Sequence, residues 1–162
     1  MSISIKVGDK IPNVNLKQAT SNGPIDLNTS EFFKNKTTIL FAIPGAFTPV
    51  CSAKHLPGFV AHKRQLLKKG VDQIACISVN DPFVMQAWAE NQQTKNEIIM
   101  MADGNGDLTR AFGLGMDLTA LGLGYRSQRY AMIIKDETVF NLEVEPASTC
   151  SLTSAEHFLS IL

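Results

Sequence analysis

The sequence predicts an α/β protein: a mixed central β-sheet covered on both faces by helices. Three observations carry this. Apolar runs rich in strand formers alternate with stretches of helical spacing through the middle of the chain; two consecutive strand-like runs follow, joined as in a hairpin; and a helix-like segment closes the sequence. The 162 residues, 44% hydrophobic and 19% charged, suit one domain over residues 1–162 with a single substantial core and no linker.

The elements follow in order. Met1 to Lys10 alternates apolar and polar residues without a basic leader or a long apolar stretch, so it does not read as a signal peptide. No segment is long enough to span a bilayer. Thr37 to Ile43 is an apolar, strand-forming run stopped by Pro44-Gly45, as a buried central strand requires. Ile74 to Val79 is a second such strand. Between them Leu56, Phe59, Val60, Leu66 and Leu67 recur at helical spacing, with Lys63, Arg64, Lys68 and Lys69 on other positions and Gly70 as a stop. Pro57 removes a backbone hydrogen bond inside that pattern, which predicts a kink or break near it.

Asn80-Asp81-Pro82 supplies an N-cap and a first-turn proline for a helix through Trp88 to about Asn91. Ile98 to Ala102 reads as a strand. The Asp103–Asp107 turn leads to a short helix around Leu108 to Phe112, and Gly113 to Gly124 reads as a glycine-rich loop. Arg129 to Ile134 and Val139 to Val144 are strands joined by Lys135-Asp136-Glu137-Thr138, and Ser154 to Leu162 is a closing helix. This order fits a thioredoxin-like, three-layer arrangement.

Fifteen basic residues balance fifteen acidic ones, so no long-range field gathers nucleic acid or an anionic membrane. Small uncharged substrates suit such a surface. Cys51, Cys76 and Cys150 are widely spaced, and an odd number argues against a secreted disulfide framework. The expected location is therefore a reducing compartment, the cytoplasm, where thiols are available for chemistry.

Cys51 stands where the first buried strand gives way to a helix. Thr48-Pro49 reads as an N-cap followed by proline at the first helical position, which puts Cys51 in the first turn. Unpaired backbone N–H groups and the positive end of the helix dipole there favour a thiolate. Lowering a cysteine pKa from about 8.5 to about 6 takes roughly 3.4 kcal/mol, whereas a helix terminus supplies about 2 kcal/mol at most. A cation or further donor must come from elsewhere in the chain. Nucleophilicity falls together with basicity, so the site must also orient its substrate and stabilise the leaving group. A hydroxyl such as Thr48 and a guanidinium, with its fixed charge and planar donors, meet those needs.

The segment Pro44-Gly45-Ala46-Phe47-Thr48-Pro49-Val50-Cys51-Ser52, followed by His55, Pro57, Gly58 and Phe59, closely resembles the active-site segment of the peroxiredoxins. Ser78-Val79-Asn80-Asp81-Pro82-Phe83-Val84-Met85, Ala102-Asp103-Gly104 and Arg126-Ser127-Gln128-Arg129-Tyr130-Ala131 resemble the peroxiredoxin-5 or plant type II group. The likeness covers nearly the whole chain. It implies a thioredoxin-like fold and a peroxidase acting on hydrogen peroxide or small organic hydroperoxides without metal, haem, flavin or other cofactor. Cys51 would be the peroxidatic cysteine, Thr48 and Pro44 pocket formers, and Arg129 the cation. Arg126 would be either a rim residue or a catalytic one. Peroxide attack leaves a sulfenic acid that a second thiol captures. Cys150, in the polar stretch Pro146 to Leu152, resembles the resolving cysteine of the peroxiredoxin-5 group, while Cys76 matches the second cysteine of plant type II enzymes but sits in an apolar run. Resolution by glutathione or glutaredoxin stays open as well. Thioredoxin, or glutaredoxin with glutathione, is the expected reductant, and a homodimer with a rim near the active site is expected.

Other signals point less far. Cys51 and His55 are four apart, yet no second pair has matching spacing, so a zinc site is not expected. His55 reads as a packing or hydrogen-bonding residue near the helix start. The glycine pairs 104/106, 113/115 and 122/124 lack the third glycine of a dinucleotide fingerprint, and no Cys-x-x-Cys marks a disulfide reductase. The basic residues from Lys63 to Lys69 form a solvated helix face, with no nucleic-acid partner implied. Phe47, Phe83, Trp88 and Phe112 are candidates either for the core or for an apolar patch in self-association.

Overall fold

A computed structural model describes residues 4–50, 54–146 and 149–162. Its elements run β1 (Asn15–Ala19), β2 (Ile25–Asn28), α1 (Thr29–Phe33), β3 (Thr37–Ala42), α2 (Leu56–Lys68), β4 (Gln73–Ser78), α3 (Pro82–Asn91), β5 (Ile99–Ala102), α4 (Asp107–Phe112), β6 (Gly115–Leu118), β7 (Gly124–Ser127), β8 (Arg129–Lys135), β9 (Thr138–Glu145) and α5 (Ala155–Ile161). One seven-stranded sheet has the order β2-β1-β5-β4-β3-β8-β9, and β6 and β7 form a separate pair. Strands β3, β4 and β5 are parallel; β8 runs antiparallel to β3, β9 to β8, β1 to β5 and β2 to β1. The expected mixed sheet between helical layers is what forms.

The apolar runs become central strands because both of their faces are buried. Alternation sends Ile39, Phe41 and Ile43 to one side, with Cys76 and Ile133, where α2, α3 and α5 contribute Leu56, Phe59, Met85, Trp88 and Phe158. Leu40 and Ala42 face the other side with Ile77, Tyr130 and Met132, under Phe33, Leu108 and Phe112. Each large side chain so removed from water contributes about 1.5–3 kcal/mol. The faces meet at β3, whose C-terminal end carries the Pro44–Cys51 segment.

Helix boundaries follow the local chemistry. Asp81 caps α3, its carboxylate accepting from Val84 N at 2.9 Å, with Pro82 in the first turn. Asn28 and Ser154 cap α1 and α5 in the same way. The break expected at Pro57 lies just ahead of it: Lys54 and His55 form a wide π-type turn and Pro57 sits in the first turn of α2, where a missing N–H is harmless.

Three features differ from the sequence reading. Polar β1 and β2 form the outer edge of the sheet, α1 precedes β3, and the glycine-rich stretch 113–124 contains strand β6 and a 3-10 turn at Thr119–Leu121, leading into β7. At the opposite edge residues 8–11 run along the beginning of β9, with Gly8 N donating to Val139 O at 2.8 Å, Val139 N to Asp9 O at 2.9 Å and Ile11 N to Glu137 O at 2.7 Å.

Candidate active site

Cys51 lies outside the described residues, so the site is built from what surrounds its place in the chain. The turn after β3 is held by its own atoms and by a neighbouring loop. Thr48 N and Thr48 Oγ1 both donate to Gly45 O, at 3.3 and 2.6 Å. Ala46 N donates to Asn80 Oδ1 at 3.0 Å, and the Ser78 hydroxyl donates to the same oxygen at 2.6 Å. Pro49 and Val50 are helical, which leaves Thr48 at the expected N-cap position. Phe47 adopts the left-handed region, φ +67°, uncommon for an aromatic residue, so the turn is held in a costly conformation by the bonds around it.

Arg126 reaches this turn from β7. Its Nε donates to Leu123 O at 2.9 Å and its Nη1 to Pro44 O at 3.4 Å. A Cβ at position 45 would stand 2.7 Å from Arg126 Nη1, so glycine is what lets the guanidinium lie over the turn. Arg126 thus touches the Pro44 carbonyl itself rather than standing apart at a rim.

Arg129 opens β8 beside the end of β3, where Ala42 pairs with Tyr130, and only 1% of it is exposed. Its Nη1 lies 2.6 Å from His55 Nδ1. A guanidinium only donates, so His55 Nδ1 is the acceptor. His55 Nε2 then carries the hydrogen and donates to Thr153 O at 2.9 Å. Burial first, and the Arg129 charge second, push the His55 pKa down to about 3, only partly opposed by the Thr153 carbonyl and Glu145. The imidazole is neutral and lies among Phe41 and Phe59, its ring centroid 4.7 and 5.7 Å from theirs.

Across the β8–β9 ladder, Arg129 faces Glu145. Desolvation of that carboxylate works to raise its pKa, but hydrogen bonds from Thr153, Ser151 and Leu152 outweigh it and bring the value down to about 2. Cys150 is half-buried in the segment these bonds hold. Burial raises its pKa, while the Arg129 charge and a bond to Thr153 act the other way, so Cys150 lies within electrostatic reach of Arg129 and stays a thiol. Cys76 instead sits mid-strand in β4, paired with Phe41 and Met100 and fully buried.

Among the predicted site residues, the fold therefore brings Pro44, Thr48, Arg129 and Cys150 to one end of the sheet and leaves Cys76 in the core. His55 has the hydrogen-bonding role its position suggested. Glu145 was not singled out by the sequence; its signal was the run of hydroxyl residues from Ser148 to Ser154, which needs an acceptor. Among the described residues no group of three or more His, Cys, Asp or Glu could hold a metal ion, and no helix is long and apolar enough to cross a membrane.

Comparison with known proteins agrees with this geometry. The Redoxin family profile matches residues 6–159. The chain is 45% identical to Peroxiredoxin-2E, chloroplastic, of Arabidopsis thaliana over 166 residues, covering all of this chain and 71% of that protein. It is 40% identical to Peroxiredoxin-2D of Arabidopsis thaliana, covering 98% of both. Among solved structures, reduced Prx3 of Vibrio vulnificus in complex with hydrogen peroxide superposes with a TM-score of 0.91 at 47% identity, covering 97% of this chain and 98% of that one.

Proposed function

The chain belongs to the Redoxin family as a peroxiredoxin of the type II and peroxiredoxin-5 kind, a thiol-dependent peroxidase of antioxidant function, and from that premise we propose that Cys51 is its attacking nucleophile. The observation that supports this is that buried Arg129 is held by His55 at the start of α2, while the Thr48 turn opens the stretch of sequence that leads through Cys51 to His55. Arg129 supplies the positive charge that the helix terminus alone cannot. The Thr48 hydroxyl proton is engaged by Gly45 O, which leaves its lone pairs to accept from a peroxide O–H.

The thiolate sulfur attacks one peroxide oxygen and the O–O bond breaks. The departing oxygen leaves as hydroxide or alkoxide, is stabilised by the guanidinium, and takes a proton to become water or an alcohol. Cys51 is left as a sulfenic acid. Cys150 then attacks that sulfur, releasing water and forming a Cys51–Cys150 disulfide, which two external thiols reduce. Partial exposure and nearness to Arg129 support Cys150 as the resolving cysteine over buried Cys76. We assign hydrogen peroxide and small organic hydroperoxides as substrates, and thioredoxin or glutaredoxin with glutathione as reductant. The hydrogen peroxide complex of the Vibrio relative supports the first. The odd cysteine count supports the cytoplasm as location.

A homodimer is supported by exposed aromatics at the same end of the sheet. Phe47 follows β3 and Phe83 opens α3 after β4; they are 52% and 71% exposed, while Trp88 and Phe112 are buried. Replacing Cys51 with serine is expected to abolish peroxide consumption in a thiol-coupled assay. Full turnover by that variant would refute the assignment. Peptide mapping after one equivalent of peroxide is expected to show a Cys51–Cys150 link.

A further inference from the structure

Glu145 ends β9 directly across the ladder from Arg129. Its carboxylate accepts from Ser151 N at 3.0 Å on each oxygen, Thr153 N at 3.0 Å and Leu152 N at 3.3 Å. The hydroxyls of Thr149 and Ser151 add bonds of 3.2 Å each, and the Thr153 hydroxyl adds another. A single carboxylate thus gathers the donors of the segment that carries Cys150.

Thr153 joins two sets of contacts. Its N–H and hydroxyl bind Glu145, while its carbonyl accepts from His55 Nε2, and His55 Nδ1 accepts from Arg129. Thr153, His55, Arg129 and Glu145 are all buried. Because Glu145 and Arg129 are also paired across the β8–β9 ladder, that register and the hydrogen bonds together link both strands, the segment and the start of α2 in one circuit.

Resting on the roles assigned above to Cys51 and Cys150, we propose that Glu145 is a positioning residue that couples the Cys150 segment to the orientation of Arg129. While the carboxylate holds the segment, the Thr153 carbonyl fixes His55 and His55 fixes the guanidinium for peroxide attack. When Cys150 moves to bond Cys51, its segment takes the Thr153 carbonyl away from His55 and the guanidinium loses that support. Resolution and relaxation of the site are one event, and reduction restores both.

The test uses Glu145→Gln, which keeps shape but cannot accept on both side-chain atoms, and Thr153→Val, which keeps the carboxylate and removes one donor. In a Cys150→Ser background, alkylation reads Cys51, because Cys76 is buried. Glu145→Gln is expected to raise the apparent Cys51 pKa in the alkylation pH profile and to slow stopped-flow reaction with hydrogen peroxide about five- to tenfold. With Cys150 present, disulfide formation after one equivalent of peroxide is expected to accelerate. Thr153→Val should show the same changes at smaller size, and decides the matter if Glu145→Gln fails to fold. A folded variant with unaltered Cys51 pKa, peroxide rate and disulfide rate would overturn the coupling. Normal rates in Glu145→Gln beside an inactive Cys51→Ser would sink only the coupling, whereas an active Cys51→Ser would sink the underlying assignment.

Discussion

A buried guanidinium beside an imidazole works only if the imidazole is uncharged, and His55 meets that condition by being more acidic than an exposed histidine. Its folded pKa of about 3 lies below the ordinary 6.5, so the unfolded chain binds a proton that the native state refuses. The contribution of His55 to stability is complete above pH 6.5 and falls away as the pH drops toward 3. Between pH 7 and pH 5 the protein should lose about 2 kcal/mol from this group alone. Urea unfolding at the two pH values measures it, and His55→Gln should flatten the difference. Glu145 acts in the same direction at lower pH, since its pKa falls from 4.5 to about 2 and its share is lost only through that window. Peroxide reaction rates should fall with His55→Gln too, because Arg129 loses a ring acceptor held in place against the stacked pair Phe41 and Phe59.

Helix α3 gives the clearest test at the level of single elements. Its start rests on Asp81 accepting from Val84 N and on Pro82, both visible in the sequence. Asp81→Ala should cost about 1 kcal/mol in urea or thermal unfolding. Strands β3 and β4 were equally legible, because burial on both faces demands an unbroken apolar run and Pro44-Gly45 marks its end. Strands β1 and β2 were not: Asn15–Ala19 and Ile25–Asn28 are half-exposed segments, β2 at the sheet edge and β1 next to it, whose polar residues mask any period. The pair β6–β7 was hidden by its glycines, which on composition alone indicate a loop. The site divides in the same way. Pro44, Thr48 and Arg129 stood out from a motif, whereas Glu145 matters through bonds to residues four to eight positions later; the hydroxyl run after it hints at an acceptor, but which one is set by the folded β9 end.

Over the whole molecule, zero net charge leaves no long-range repulsion between copies, so an exposed apolar patch can draw them together. Phe47 lies in the turn after β3 and Phe83 in the first turn of α3, and the Ala46–Asn80 hydrogen bond ties the two stretches together, so a partner copy seated on them would touch the rim of that turn. Phe83→Glu is expected to weaken the proposed dimer about 30-fold, roughly 2 kcal/mol, by sedimentation equilibrium. A distribution unchanged from wild type would move the interface elsewhere.

The strip formed by residues 8–11 along β9 bears on a different hazard. An open sheet invites stacking of strand upon strand into fibres, and this chain shields one margin with its own backbone: the Val139 amide and carbonyl are occupied by Asp9 and Gly8. What is left for an intruding strand on that margin is Phe140 to Glu145, where the charges of Glu143 and Glu145 oppose the addition of a further strand.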